Sequence, residues 1–298
     1  MSSSSFRTLH IPDSSKAAAG AALGESTELD GLLPDADPGL YGDHGAKHLR
    51  NHLPAEVLGA LAHWRHRPTS GLTLTNLPVP RQPVPTPTDG FCDESLLVVP
   101  NLVHFGLLRL LGLTPVAYRW ENDGRLIRNV APRPAAARAL TSWGYGQQLD
   151  WHTDDSVLDH RADADPGRSL PHCLSFFGMR NEERVPTDLL PVDTVLETLP
   201  KATVEALRRP EFGVTAPESY LSADSGEPLS RSGVPMVWTL PDGENALRYG
   251  PGRTAGLTAR AGEALGRFEA RVAALPGFPV LVEEGGFHLF DNRRVMHR

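Results

Sequence analysis

Trp151-His152-Thr153-Asp154-Asp155, together with Phe287-His288-Leu289-Phe290-Asp291-Asn292-Arg293-Arg294-Val295-Met296-His297 far downstream, decides how this chain is read. On an extended segment residues i and i+2 face the same way, so His152 and Asp154 can reach one point while Thr153 turns aside. Downstream, Val280-Leu281-Val282 reads as a short apolar strand, Glu283 to Gly286 as a turn, Phe287 to Phe290 as a second strand and Asp291-Asn292 as a turn initiator. His297 then falls on a third strand. Two imidazoles and one carboxylate meeting at a point, His152, Asp154 and His297, make the facial triad that suits non-haem Fe(II) and leaves coordination positions open. The triplet alone is a weak signal, because a His beside an Asp is usually a solvated surface pair. The two motifs can share a metal only if the strands between them close into a barrel or sandwich.

Composition fits a soluble enzyme. The 298 residues, 40% apolar and 22% charged, suffice for a substantial core. The formal charge of −7, with no long Lys/Arg run, argues against nucleic acid and for a small-molecule partner. Cys92 and Cys173 form no pairing framework, so a reduced, cytoplasmic setting is the simpler reading. The serine-rich start lacks a signal-peptide pattern. The most apolar stretch, Leu96 to Tyr118, is broken by Pro100, Asn101, His104, Arg109 and Pro115, which a span of roughly 20 residues would tolerate poorly. No membrane partner is expected.

Residues 1–40 read as a loosely ordered extension with at most one short helix, and 41–298 as one domain. Leu53 to Leu61 has helical spacing with Pro54 near its start. The Pro-rich run 78–90 must be extended. Leu96 to Leu113 reads as a core helix, and Val116 to Trp120 and Leu126 to Val130 as a hairpin turning at Asn122-Asp123-Gly124. Residues 155–170 read as a long loop, Leu174 to Met179 as a strand, and Pro186 to Asp193 as a turn-rich lead into two short helices, Asp193 to Leu199 and Lys201 to Arg208. Met236 to Leu240 and Ala246 to Tyr249 suggest a second hairpin. Thr258 to Leu275 is the clearest amphipathic helix, with Leu265, Phe268, Val272 and Leu275 on one stripe. The expected class is α+β: a double-stranded β-helix, a jelly-roll variant, flanked by helices.

At these residues the chain resembles the Fe(II)- and 2-oxoglutarate-dependent dioxygenases, in their clavaminate synthase-like branch, which hydroxylates free or carrier-bound amino acids. The likeness is carried by Ser142-Trp143-Gly144, by Trp151 to Asp155, by Phe176-Phe177-Gly178-Met179-Arg180-Asn181, and by Asp291-Asn292-Arg293-Arg294 before His297. It is strongest over 141–182 and 285–298. The resemblance implies Fe(II) on His152, Asp154 and His297, 2-oxoglutarate and molecular oxygen as cosubstrates, and hydroxylation of an unactivated C–H of an amino acid, as in antibiotic biosynthesis. Close relatives often carry Glu where Asp154 stands, and either carboxylate can ligate iron. Ser142 matches a position that touches the substrate's backbone groups.

In the family an Arg about a dozen residues after the distal His pairs bidentately with the far carboxylate of 2-oxoglutarate. Here one residue follows His297, so the residue for that carboxylate is unknown, and the expectation is that the sequence is shorter than the natural product, lacking a closing strand. Arg298 would turn away from a His297 that faces the metal, and Arg293 and Arg294 read as surface charges beside acidic neighbours. Relatives acting on basic amino acids carry acidic residues after the strand matching Leu247-Arg248-Tyr249. Gly250, Pro251 and Gly252 follow here, which favours a neutral or modified amino acid. Asp154 fills the position a halide would need, which disfavours halogenation; desaturation and ring closure stay open.

His160, His172 and His288 lack a carboxylate at ligand spacing and read as non-ligands. His63 and His66 read as a surface pair on a helix. Glu121 and Gln148 could line the pocket but are more often merely solvated. The rival from another class is a non-catalytic jelly-roll binding protein, and a third reading is a zinc hydrolase on the same ligands. Adjacent acids on a strand face apart, so Asp154 and Asp155 do not make an acid–base pair.

Overall fold

Helices form where apolar spacing and end signals agree. The computed structural model describes residues 6–25, 29, 31–139, 141, 143–161, 166–217, 220 and 229–298. Within them α1 spans Asp13–Gly24, α2 Pro38–His52, α3 Ala55–His66, α4 Val98–Leu111, α5 Val192–Leu196, α6 Lys201–Leu207 and α7 Ala259–Ala274. α2 begins where the Asp37 side chain accepts the Leu40 N–H at 2.8 Å, with Pro38 in its first turn. α4 ends at Gly112, whose φ of 74° closes the helix in the left-handed region. The Thr258 hydroxyl caps α7, whose Ala261, Ala264, Leu265, Phe268 and Val272 are buried. No helix among the described residues is long and apolar enough to cross a membrane.

The strands are β1 Phe6–His10, β2 Gly71–Thr75, β3 Cys173–Phe177, β4 Thr187–Pro191, β5 Phe212–Thr215, β6 Ser230–Val234, β7 Val237–Thr239, β8 Asn245–Leu247, β9 Thr254–Gly256, β10 Phe278–Val280, β11 Phe287–Asp291 and β12 Val295–His297. They form sheets ordered β1-β2-β11-β3, β10-β4-β12, β6-β5-β9 and β7-β8. β1 runs parallel to β2; every other pairing between these strands is antiparallel.

β11 is buried along its whole length because both of its faces are covered. Phe287 and Leu289 join Leu72 and Leu74 of β2 under α1 to α4. Phe290, on the other face, meets Leu189, Val280 and Val295 of the second sheet. That second sheet alternates in turn: Leu190 and Met296 face α5, α6 and α7. The tail strands β11 and β12, joined by a short turn that crosses from one sheet to the other, are thus clamped between two cores, which fixes His297 in the interior. The chain is a mixed helix-and-sheet fold.

Several expectations are corrected. Phe6–His10 is a strand paired in register with β2, and Ile11, Ala19 and Leu23 are fully buried, so this part of the extension is packed rather than loose. Residues 116–120 and 126–130 form no hairpin. Asn122, Asp123 and Gly124 all take positive φ, and the Asn122 amide donates to the carbonyls of Arg125 and Ile127, occupying acceptors a returning strand would need. Thr187–Pro191, expected as turns, is the central strand β4; its proline lies at the strand end, where no ladder donor is required. The strand expected at 280–282 sits at 278–280.

Candidate metal centre

His152 and His297 come together through the backbone. His152 N–H donates to the His297 carbonyl at 3.1 Å and His297 N–H to the His152 carbonyl at 3.0 Å, an isolated antiparallel bridge that extends β12 by one partner. The rings face each other with centroids 4.2 Å apart. His152 is therefore a bridge residue rather than part of a named strand, and Asp154 lies in the turn that follows. Even so, Asp154 Oδ1 is 3.3 Å from His152 Nε2 and 3.7 Å from His297 Nε2. One ligand atom from each of the three residues lies within 4.8 Å of the others. Bonds of about 2.0–2.2 Å opened by about 90° would place neighbouring donors about 3 Å apart, so these separations suit three ligands on one face of a first-row metal.

Tautomers agree with that use. His152 Nδ1 lies 2.8 Å from the Asp150 carbonyl, which can only accept, so Nδ1 carries a proton and Nε2 is the atom turned to Asp154, available to ligate once it is deprotonated. The buried His297 Nδ1 has no hydrogen-bond partner among the described residues. Burial opposes charge on Asp154, but the two imidazoles and Arg128 outweigh it and hold the carboxyl well below the usual range. Its side chain is packed among protein atoms on one side and 41% open to solvent on the other. Burial pushes His297 down to about 3, with His152 adding to the effect. For His152 burial is outweighed by Asp154, and the pKa is raised.

Beside the triad lies a polar cluster only half visible in the sequence. Asp155, at φ 56°, turns its side chain towards Glu121 and Tyr220. Burial, then Glu121 and Asp154, raise the Asp155 pKa far above its ordinary value. The Tyr220 hydroxyl is the donor to both carboxylates, to Glu121 Oε2 at 2.8 Å and to Asp155 Oδ1, and its one proton can serve only one of them at a time. Arg128 Nη1 lies 3.1 Å from Glu121 Oε1, and its guanidinium sits 4.2 Å from the Trp143 ring. Glu121 is thus a member of this polar cluster rather than a solvated strand end. Asp155 and Tyr220 carried no sequence signal for this role.

The other candidates fall elsewhere. Ser142 lies outside the described residues. His288 is fully buried against Thr73 Oγ1 at 2.8 Å, and His160 packs on Trp238. Neither joins the triad. Arg293 and Arg294 are not surface charges: both pair with the fully buried Asp291, and Arg294 also with Asp242. Arg298 turns outward onto Asp188 at 3.1 Å and over Trp151 at 4.4 Å. None of these three offers its guanidinium fork to a diacid at the triad.

No family model matches the chain. It is 24% identical over 249 residues to the L-lysine 3-hydroxylase of Catenulispora acidiphila, covering 82% of this chain and 66% of that protein. It is 26% identical over 221 residues to the enduracididine beta-hydroxylase of Streptomyces hygroscopicus, covering 72% and 59%. The chain therefore spans about two thirds or less of the length of these curated relatives. Asparagine oxygenase, solved with Fe(II), 2S,3S-3-hydroxyasparagine and succinate, superposes with a TM-score of 0.75 at 24% identity over 97% of this chain and 86% of that one. OrfP, solved with Fe and alpha-ketoglutaric acid, gives 0.76 at 21% over 98% and 87%. The chain has the fold of the non-haem iron oxygenases. The expected likeness to the Fe(II)- and 2-oxoglutarate-dependent oxygenases is borne out by these relatives, and in this fold the β12 bridge brings His152 and His297 together.

Proposed function

We propose that the protein is a non-haem Fe(II)- and 2-oxoglutarate-dependent oxygenase that hydroxylates an unactivated C–H of a free or carrier-bound amino acid. The observation that carries this reading is the convergence of His152, Asp154 and His297 within 4.8 Å, with both Nε2 atoms turned to the carboxylate. These three side chains would hold Fe(II) on one face. When bound, iron and 2-oxoglutarate supply the oxidising power, with oxygen as co-reactant and succinate as by-product. The chain's own residues hold the geometry. Asp150 fixes the His152 tautomer, Asp154 stays ionised beside its imidazoles, and the buried His297 needs lose no proton. Ser142 is our candidate for the substrate's backbone groups.

The relatives named as lysine, enduracididine and asparagine oxygenases support an amino-acid substrate. Gly250 to Gly252, without a carboxylate in that place, favours a neutral or modified side chain. We assign residues 41–298 to one double-stranded β-helix domain with 1–40 as an extension; the two facing sheets around Phe290 support the closed core. Two free thiols suit a cytoplasmic setting.

Anaerobic addition of Fe(II) and 2-oxoglutarate tests the reading. A weak visible charge-transfer band, then amino-acid-dependent succinate release in air, is the expected result. Absence of the band refutes it.

A further inference from the structure

Asn292 sits in the turn between β11 and β12, has no exposed surface, and commits its whole side chain to main-chain groups far away in sequence. Its Oδ1 accepts the Asp154 N–H at 2.8 Å. Its Nδ2 donates to the Asp154 carbonyl at 3.1 Å and to the Pro171 carbonyl at 3.1 Å. A carboxamide that accepts from and donates to one residue's main chain reproduces the pairing an adjacent strand would give.

Asp154 needs that substitute. It lies in a turn before Asp155 at φ 56°, and among the described residues no other hydrogen bond reaches its main chain. Its flanks are fixed separately: Thr153 N–H donates to the Tyr249 carbonyl at 2.9 Å, and Arg248 Nη1 donates to the carbonyls of Ser156 and Leu158 at 3.0 and 3.1 Å. The remaining freedom is rotation of the Asp154 peptide units, which would swing the carboxylate away from the imidazoles. Asn292 blocks it from the same turn that delivers His297.

We propose that Asn292 is a positioning residue of the metal centre, locking the Asp154 backbone to the β11–β12 turn that leads to His297 so that ligands from distant parts of the chain are set as one unit. The proposal rests on the metal-binding reading above. Partners that orient a ligand typically change metal affinity by about 10–100-fold when removed.

The test compares wild type with Asn292→Ala, Asn292→Asp and Val280→Ala. Co(II) titrations followed by the visible d–d absorption are paired with hydrogen exchange of the Asp154 amide in metal-free protein. Asn292→Ala should exchange that amide faster and bind Co(II) about 10–100-fold more weakly with an altered band. Asn292→Asp keeps the acceptor, loses both donations, and should fall between; it also serves if the alanine variant does not fold. Val280→Ala trims the neighbouring core without touching Asp154, so it should lower stability and leave both readouts unchanged. Unchanged Co(II) affinity and band in Asn292→Ala, or an equal loss in Val280→Ala, overturns the role of Asn292. A wild-type protein that binds no Co(II) overturns the metal reading itself, whatever the exchange rates.

Discussion

Replacing Asp291 by Asn should cost about 3 kcal/mol of folding stability, near the low end of what removal of one partner from a buried ion pair costs. Asp291 is fully buried. Its Oδ1 accepts from the Arg293 backbone N–H at 2.9 Å and from Nε at 3.0 Å, and its Oδ2 accepts from Arg293 Nη2 at 2.8 Å. Oδ2 also lies 3.1 Å from Arg294 Nε, close enough for attraction although the N–H is not aligned with it. The arginine side chains are only 17% and 8% exposed, so water cannot replace the lost carboxylate. Arg294 keeps Asp242, and the new amide oxygen still accepts the Arg293 N–H, which is why the lower end applies. Urea unfolding reads the loss directly, and a fall in melting temperature of about 6–10 °C should accompany it. Asp43→Asn is the control. Asp43 and Arg109 are 58% and 56% exposed, and losing their pair should change stability by no more than about 1 kcal/mol. Equal, small losses in both variants would refute the view that this turn is an interior charge cluster.

Metal binding should weaken as pH falls through the raised pKa of His152, with a slope of one proton. Its imidazole must give up a proton to bind, whereas His297, at about 3, is already neutral and Asp154 already ionised. A two-proton slope in Co(II) titrations across pH 5 to 8 would contradict this assignment. Tyr220→Phe removes a hydrogen bond that lowers the Asp155 pKa, so the infrared carbonyl stretch of protonated Asp155 should persist to higher pH than in wild type; a shift the other way contradicts the donor pattern. Gly45→Ala places a Cβ 2.0 Å from the Leu102 carbonyl oxygen, which α2 and α4 can relieve only by moving apart. A loss of about 1–3 kcal/mol or more is expected in urea unfolding, and an unchanged midpoint would mean the helices do not cross so closely.

The parts of the fold legible in the sequence were those where one local pattern had one structural answer. The α7 stripe, the α4 apolar run, the β7–β8 turn and the tail strands all carried period and end signals together. α2 carries no clear helical pattern because Gly39, Gly42 and Gly45 lower its helical propensity; that cost is accepted where Gly45 lets α4 approach closely. β4 reads as a turn because its ends are threonine and proline beside a turn-like run, and its pairing with β12 lies far off in sequence. At the metal centre the three donors were legible from residue type and spacing. The i, i+2 argument names residues that do converge in space although Asp154 is in a turn, because Asn292 supplies the pairing a strand would have given. Glu121, Asp155 and Tyr220 could not be grouped beforehand, since only tertiary folding brings 121, 155 and 220 together.

The placement of β11 and β12 in two different sheets has a consequence for how the protein reaches its native state. β11 is flanked by β2 and β3, while β12 and β10 flank β4, so three strands formed early in the chain wait for partners encoded near residues 278–297. Such distant pairings make folding slow, and until they close, the unpaired N–H and C=O rows of β2, β3 and β4 are templates for other chains. Growth temperature and expression rate should therefore govern the soluble yield more than the native contacts would suggest, because self-association competes with insertion of the tail strands.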